Sequence, residues 1–181
     1  MAKNNYLLRI KLMRISPDIW RSFIVPTNIP LHYLHIIIQS VMGWDNNHMY
    51  EFQFNKKTRI TGTPVGLEDT GGMKNPKLSD FLRKAGNKFI YWYDFGDDWY
   101  HEITLKKIQD IDPKQKFPIV CVDGARACPP EDCGGPPGYS HFCEVVKNHG
   151  TEEYSELIEW WGEEYDPEEF DVNEVNELLN E

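Results

Sequence analysis

The twenty residues from Phe89 to Ile108, FIYWYDFGDDWYHEITLKKI, constrain the fold more than any other stretch of the chain. Two arms rich in aromatic and β-branched residues flank the turn quartet FGDD, so the segment predicts a β-hairpin with Trp99, His101, Ile103 and Leu105 on one face. A hairpin with one apolar face is marginal alone and needs further strands or a helix to cover it.

Both are predicted nearby. In YLLRIKLMRI, residues 6–15, Tyr6, Leu8, Ile10 and Leu12 share one face while Arg9 and Lys11 take the other, the pattern of a half-buried strand. IWRSFIV, ending at Pro26, predicts a second strand pairing back on the first. From Pro30 the period changes. Leu31, Leu34, His35, Ile38 and Val41/Met42 recur at helical spacing, with Pro30 suited to the first turn and Gly43 to the stop, and this helix should lay its stripe on the sheet. HMYEFQFN predicts a strand with His48, Tyr50, Phe52 and Phe54 on one face. Residues 62–76 hold four Gly and two Pro and read as a loop, and LSDFLRKAG reads as a short helix closed by Gly86. SHFCEVVKN, TEEYSELIEWWG and DVNEVNELLNE predict three helices, the last opened by Asp171 and Glu174 at capping-box spacing. Strands first and helices gathered at the end predict an α+β fold: a largely antiparallel sheet packed by helices, with a helical C-terminal end. At 181 residues, 40% of them hydrophobic, the chain is expected to form a single domain, 1–181.

Charge is distributed unevenly. All 19 Lys and Arg fall in residues 1–150, where the balance is +3, whereas the acidic segment 151–181 carries −13. Such a segment repels phosphate backbone and suits a solvated face or a basic partner, so a protein partner is the first expectation and nucleic acid is disfavoured. With no apolar run of membrane-spanning length and no signal-peptide block, the chain is expected to be cytoplasmic without a membrane partner. The cysteines Cys121, Cys128, Cys133 and Cys143 cluster in the third quarter, which argues for reduced thiols or a metal site over a disulfide framework.

PDIWR (17–21), Leu34-His35, Gly43-Trp44, H-x-x-x-F (48–52), YDFGDDW-x-H (93–101), PPEDCGG-x-x-GY (ending at Tyr139) and the late DPEEFD-x-x-x-VN occur in one order along the chain. In them the chain resembles the plasmid pRi open-reading-frame-three-like family, whose members occur on plasmids, on chromosomes and as insertion-element passengers, some labelled resolvase-like. The resemblance implies a compact α+β roll and no established reaction. Met49, Tyr165 and Cys143 depart from the family pattern, which weighs against a four-cysteine metal site. The resolvase label finds no support in the residues: Arg9, Arg14, Arg21, Arg59, Arg83 and Arg126 are scattered, and no Ser sits among them as a nucleophile facing a held phosphate would.

Two chemistries compete for the remaining polar residues. A metal site could draw on Cys121, Cys128, Cys133, His48 and His101, with Zn or another divalent ion as ligand, although the cysteine gaps lack the CxxC pairs of a zinc knuckle and no cofactor is predicted outright. A catalytic cluster could join His48, Asp94, Asp97, Asp98 and His101 to Glu131 and Asp132 as a metal-dependent hydrolase or nuclease. Against both, histidines on apolar strand faces are commonly satisfied core groups, and Asp and Gly are what tight turns select. The reading taken from the sequence is therefore a binding or accessory module, with the hydrolase and a nucleic-acid-binding accessory factor as alternatives. ACPPEDCGGPPGY, 127–139, is read as a rigid corner whose chemistry rests on Glu131 and Asp132.

Overall fold

The computed structural model describes residues 4–112, 114 and 118–180. Its strands are β1 (Asn4–Leu12), β2 (Trp20–Pro26), β3 (Tyr50–Gln53), β4 (Arg59–Thr63), β5 (Gly66–Asp69), β6 (Lys88–Tyr93), β7 (Trp99–Asp110) and β8 (Val120–Ala125). The helices are α1 (Leu31–Met42), α2 (Gly135–Val145), α3 (Glu152–Trp161) and α4 (Val172–Leu178). The strands form one open antiparallel sheet in the order β5-β4-β3-β6-β7-β1-β2-β8, an α+β arrangement.

Alternation decides which face is covered. Tyr6, Leu8, Ile10 and Leu12 of β1, Phe89, Tyr91 and Tyr93 of β6, and Trp99, His101, Ile103 and Leu105 of β7 are all buried in one core. Across the same strands Arg9, Lys88 and Glu102 stay outside, with the Arg9 guanidinium 4.1 Å over the Trp20 ring. Helix α1 brings its stripe of Leu31, Leu34, Ile38 and Val41 to the covered face. Its His35 stacks on Tyr50 with ring centroids 3.6 Å apart. The polar atoms of this contact form a closed chain. Gln39 donates to the Tyr91 hydroxyl at 3.0 Å, Tyr91 donates to His35 Nδ1 at 2.7 Å, and His35 Nε2–H donates to Asn46 Oδ1 at 2.6 Å.

Four local expectations are corrected. Residues 62–76 contain part of β4 and all of β5: Gly62 lies within a strand because a Cβ there would overlap the Tyr50 ring, so its glycine marks a close approach and not a loop. LSDFLRKAG forms only a 3-10 turn, Leu78–Asp80, in which the Asp80 carboxylate accepts the Lys77 N–H at 2.8 Å. In HMYEFQFN the strand begins at Tyr50, leaving His48 in the bend before it. The sequence reading also lacked β8.

That last strand is held by the chain's end. It pairs with β2 on one side, and on its open side the Asn176 amide of α4 accepts the Cys121 N–H and donates to the Cys121 carbonyl, both at 2.8 Å. One side chain thus engages both backbone groups of one edge-strand residue as a neighbouring strand would. Asn176→Ala should lower unfolding free energy by about 1–2 kcal/mol, measured by urea denaturation, since two backbone groups lose their partner; an unchanged midpoint would contradict the clamp. Arg21 secures the same corner from within. Only 3% exposed, it donates to the carbonyls of Trp20, Val41, Ala125 and Arg126 and stacks on Phe170. Burial lowers its pKa, and these four acceptors offset the desolvation of a charge that has no phosphate-binding geometry.

Candidate functional site

Three segments meet at one end of the sheet: the bend ahead of β3, the β6–β7 turn, and the loop entering α2. The first two are tied by backbone, the Asp94 N–H donating to the Met49 carbonyl at 3.0 Å. Asp94 takes a left-handed φ of 53° and folds its Oδ1 onto the Gly96 N–H at 2.9 Å, the turn that Asp and Gly permit.

The third segment is fastened on both sides of Asp132. The Trp44 indole donates to the Pro129 carbonyl at 2.9 Å. Glu131 receives the Tyr93 hydroxyl at 2.5 Å and the Asn47 amide at 3.0 Å. Burial first, and then the Glu131 bond, push the Tyr93 phenol well above its usual pKa, which makes it a committed donor. Beyond Asp132, the Gly134 N–H donates to the Asp97 carboxylate at 3.1 Å. Gly135, at φ 67°, runs so close to the Asp97 carbonyl oxygen that a Cβ would overlap it.

These constraints set His48 between two carboxylates. Its Nδ1 lies 3.7 Å from Asp94 Oδ1 and its Nε2 3.4 Å from Asp132 Oδ1, and each of the three residues offers one ligand-type atom within 4.8 Å of the others. Among the described residues this is the three-ligand group that forms. The Nε2 atom is buried, and although near enough to Asp132 for an ion pair it has no hydrogen-bond partner. Asp94 is 10% exposed and Asp132 71%, so the group is closed beneath and open above.

The other candidates have different positions. Asp97 is engaged by the loop backbone, and Asp98 accepts the Trp92 indole N–H at 3.0 Å. His101 is fully buried in the core, donating from Nδ1 to the Tyr91 carbonyl at 3.2 Å with the Trp44 ring edge-on to it, and burial drives its pKa down to about 3. Cys121, Cys128, Cys133 and Cys143 are free and none belongs to the three-ligand group. Burial, with Asp97 next, raises the Cys133 thiol to about 12, and burial raises Cys128 further, so both are neutral thiols here. Residues absent from the sequence reading of the site are Asn47, whose amide holds Glu131, and the phenol of Tyr93; neither carries a sequence signal beyond its place beside His48 and Asp94.

The profile of the plasmid pRiA4b ORF-3-like proteins matches residues 4–174. The chain belongs to that family. Similar proteins include the uncharacterized protein y4hQ of Sinorhizobium fredii, 33% identical over 188 residues, spanning 96% of this chain and 90% of that protein. A crystal structure of a protein of unknown function, MM3350 from Methanosarcina mazei Go1, superposes with a TM-score of 0.83 at 35% identity, covering 97% of this chain and 99% of that one. The family therefore extends along the whole sheet and through the site loop, and its named relatives carry no assigned reaction. No helix among the described residues is long and apolar enough to cross a membrane.

Proposed function

We propose that this family member is a binding module whose recognition centre is a divalent metal ion held by His48, Asp94 and Asp132. The observation that carries the reading is the buried His48 Nε2, which has no hydrogen-bond partner and faces the Asp132 carboxylate at 3.4 Å. One imidazole and two carboxylates suit Zn2+ or Mn2+. Three protein ligands, of which Asp132 is exposed, leave coordination positions open, and a carboxylate of a protein partner is the ligand expected to fill them.

Titration calorimetry with Zn2+ and Mn2+ should find one ion per chain. His48→Ala and Asp132→Asn should each weaken binding by about tenfold or more while the fold persists. Wild-type protein that takes up neither ion would sink the reading.

A metal-dependent hydrolase is favoured by a separate observation. Glu131, adjacent to Asp132, is oriented by Tyr93 and Asn47 and is outside the three-ligand group, as a base for a metal-bound water would be. Under that reading, metal-loaded protein cleaves an activated phosphodiester and Glu131→Gln keeps the metal but loses the activity. No turnover by fully loaded protein leaves the binding module alone.

A further inference from the structure

Beside α1, and sharing no residue with the metal-type cluster, lies a groove of about 610 Å³, lined chiefly by Pro26, Ile29, Tyr33, Ile36, Ile37 and Ile119. Tyr33 is 63% exposed and Ile36 37%, and among the described Phe, Tyr and Trp residues only Phe95 and Trp160 are exposed besides Tyr33. No carboxylate lines the groove, although the chain has 29 acids, and its one charged lining residue is Lys77, with the exposed Lys74 close by in sequence. Neither lysine has a carboxylate partner among the described residues. An apolar trough with a basic rim fits an acidic helix bearing one large apolar anchor.

The chain itself carries such an element. Helix α3 turns Tyr154, Leu157, Ile158 and Trp161 partly inward, leaving Glu152, Glu153, Glu156, Glu159 and Trp160 exposed on its outer face. Trp160 is 53% exposed in the middle of those acids. Its edge contact with Phe142, ring centroids 6.4 Å apart, directs the side chain without covering it.

We propose that the groove receives Trp160 and the glutamate face of α3 from a second copy of this chain. The contact is reciprocal in a two-fold dimer: each copy gives one helix and one groove, and Lys77 faces the partner's glutamates. Tryptophan in an apolar pocket ringed by charge complementarity is the usual form of an interface anchor.

Sedimentation velocity of the full chain should show a dimer whose fraction rises with concentration. Trp160→Ala and Tyr33→Ala remove exposed side chains, so melting curves recorded at a dilution where wild type is monomeric should match wild type, while at higher concentration the dimer is lost. Lys77→Glu should weaken association by tenfold or more, as should Glu156→Lys with Glu159→Lys in one chain. Mixing these two charge variants should restore a dimer, because one interface regains opposite charges and the other is unaltered. A wild-type chain that stays monomeric at every concentration overturns the proposal, including when its groove captures a foreign acidic peptide. So does a dimer that Trp160→Ala breaks and both Tyr33→Ala and Lys77→Glu leave intact, since the helix then docks elsewhere.

Discussion

Acidification from about pH 6.5 to pH 4 is expected to remove roughly 5 kcal/mol of unfolding free energy, because two histidines fold in their neutral form. His101 has its pKa lowered by burial from 6.5 to about 3, and His35 by burial from 6.5 to about 4. Both side chains have no solvent exposure. In the window between these values the unfolded chain binds protons that the folded chain refuses, so falling pH favours unfolding. The contribution is full above pH 6.5 and is lost progressively as pH approaches the folded pKa values. Carboxylates ordinarily remain ionised down to about pH 5, so the loss between 6.5 and 5 reports the histidines. Urea denaturation at several pH values measures it. His101→Gln should lower stability at pH 7, flatten the slope by about one proton and leave metal affinity unchanged. A stability curve level from pH 7 to 5 in wild type would contradict the neutral buried pair.

Gly135→Ala is expected to lower unfolding free energy by about 3 kcal/mol, from left-handed strain and overlap with a backbone oxygen. In a chain of this size that corresponds to melting roughly 6–12 °C lower, readable by calorimetry. The Asp97 carbonyl belongs to the hairpin turn and cannot swing aside as a side-chain tip would. Relief requires the loop to back away, taking Asp132 from His48, so the variant should also lose metal affinity. Gly134→Ala is the control. It carries comparable strain at φ 90°, but its Cβ would meet only Gly138 Cα at 3.5 Å, so it should cost about 1 kcal/mol less or better and keep the site. Equal losses from the two variants would show that close approach to the turn is immaterial.

Much of the sheet could be read from residues because the alternation of Tyr6, Leu8, Ile10 and Leu12 and of Trp99 to Leu105 has one physical cause, a strand with a single covered face. The same logic hid the edges. VCVDGA of β8 leaves Val122 exposed and depends on Asn176 from 55 positions away, which no local pattern announces. Gly62 reads as loop until the Tyr50 ring is seen to occupy the space a side chain would need. For the site, residue types were legible and geometry was not. His101 alternates in step with Trp99 and belongs to the core, whereas His48 precedes its strand and reaches Asp132 only because the proline and glycine corner returns to the hairpin. Asp97 and Asp98 look like the acids of a cluster in sequence, yet a backbone amide and an indole engage them.

The Asn176 clamp also has a temporal meaning. During synthesis β1, β2 and β8 emerge well before α4, so the sheet passes through a period in which β8 has pairing groups free along one side. A neighbouring nascent chain could add a strand there, the route by which partly made proteins cross-associate. The segment that carries Asn176 is also the one that carries the −13 charge. As it emerges it makes chains repel one another in the same interval in which each is closing its own edge.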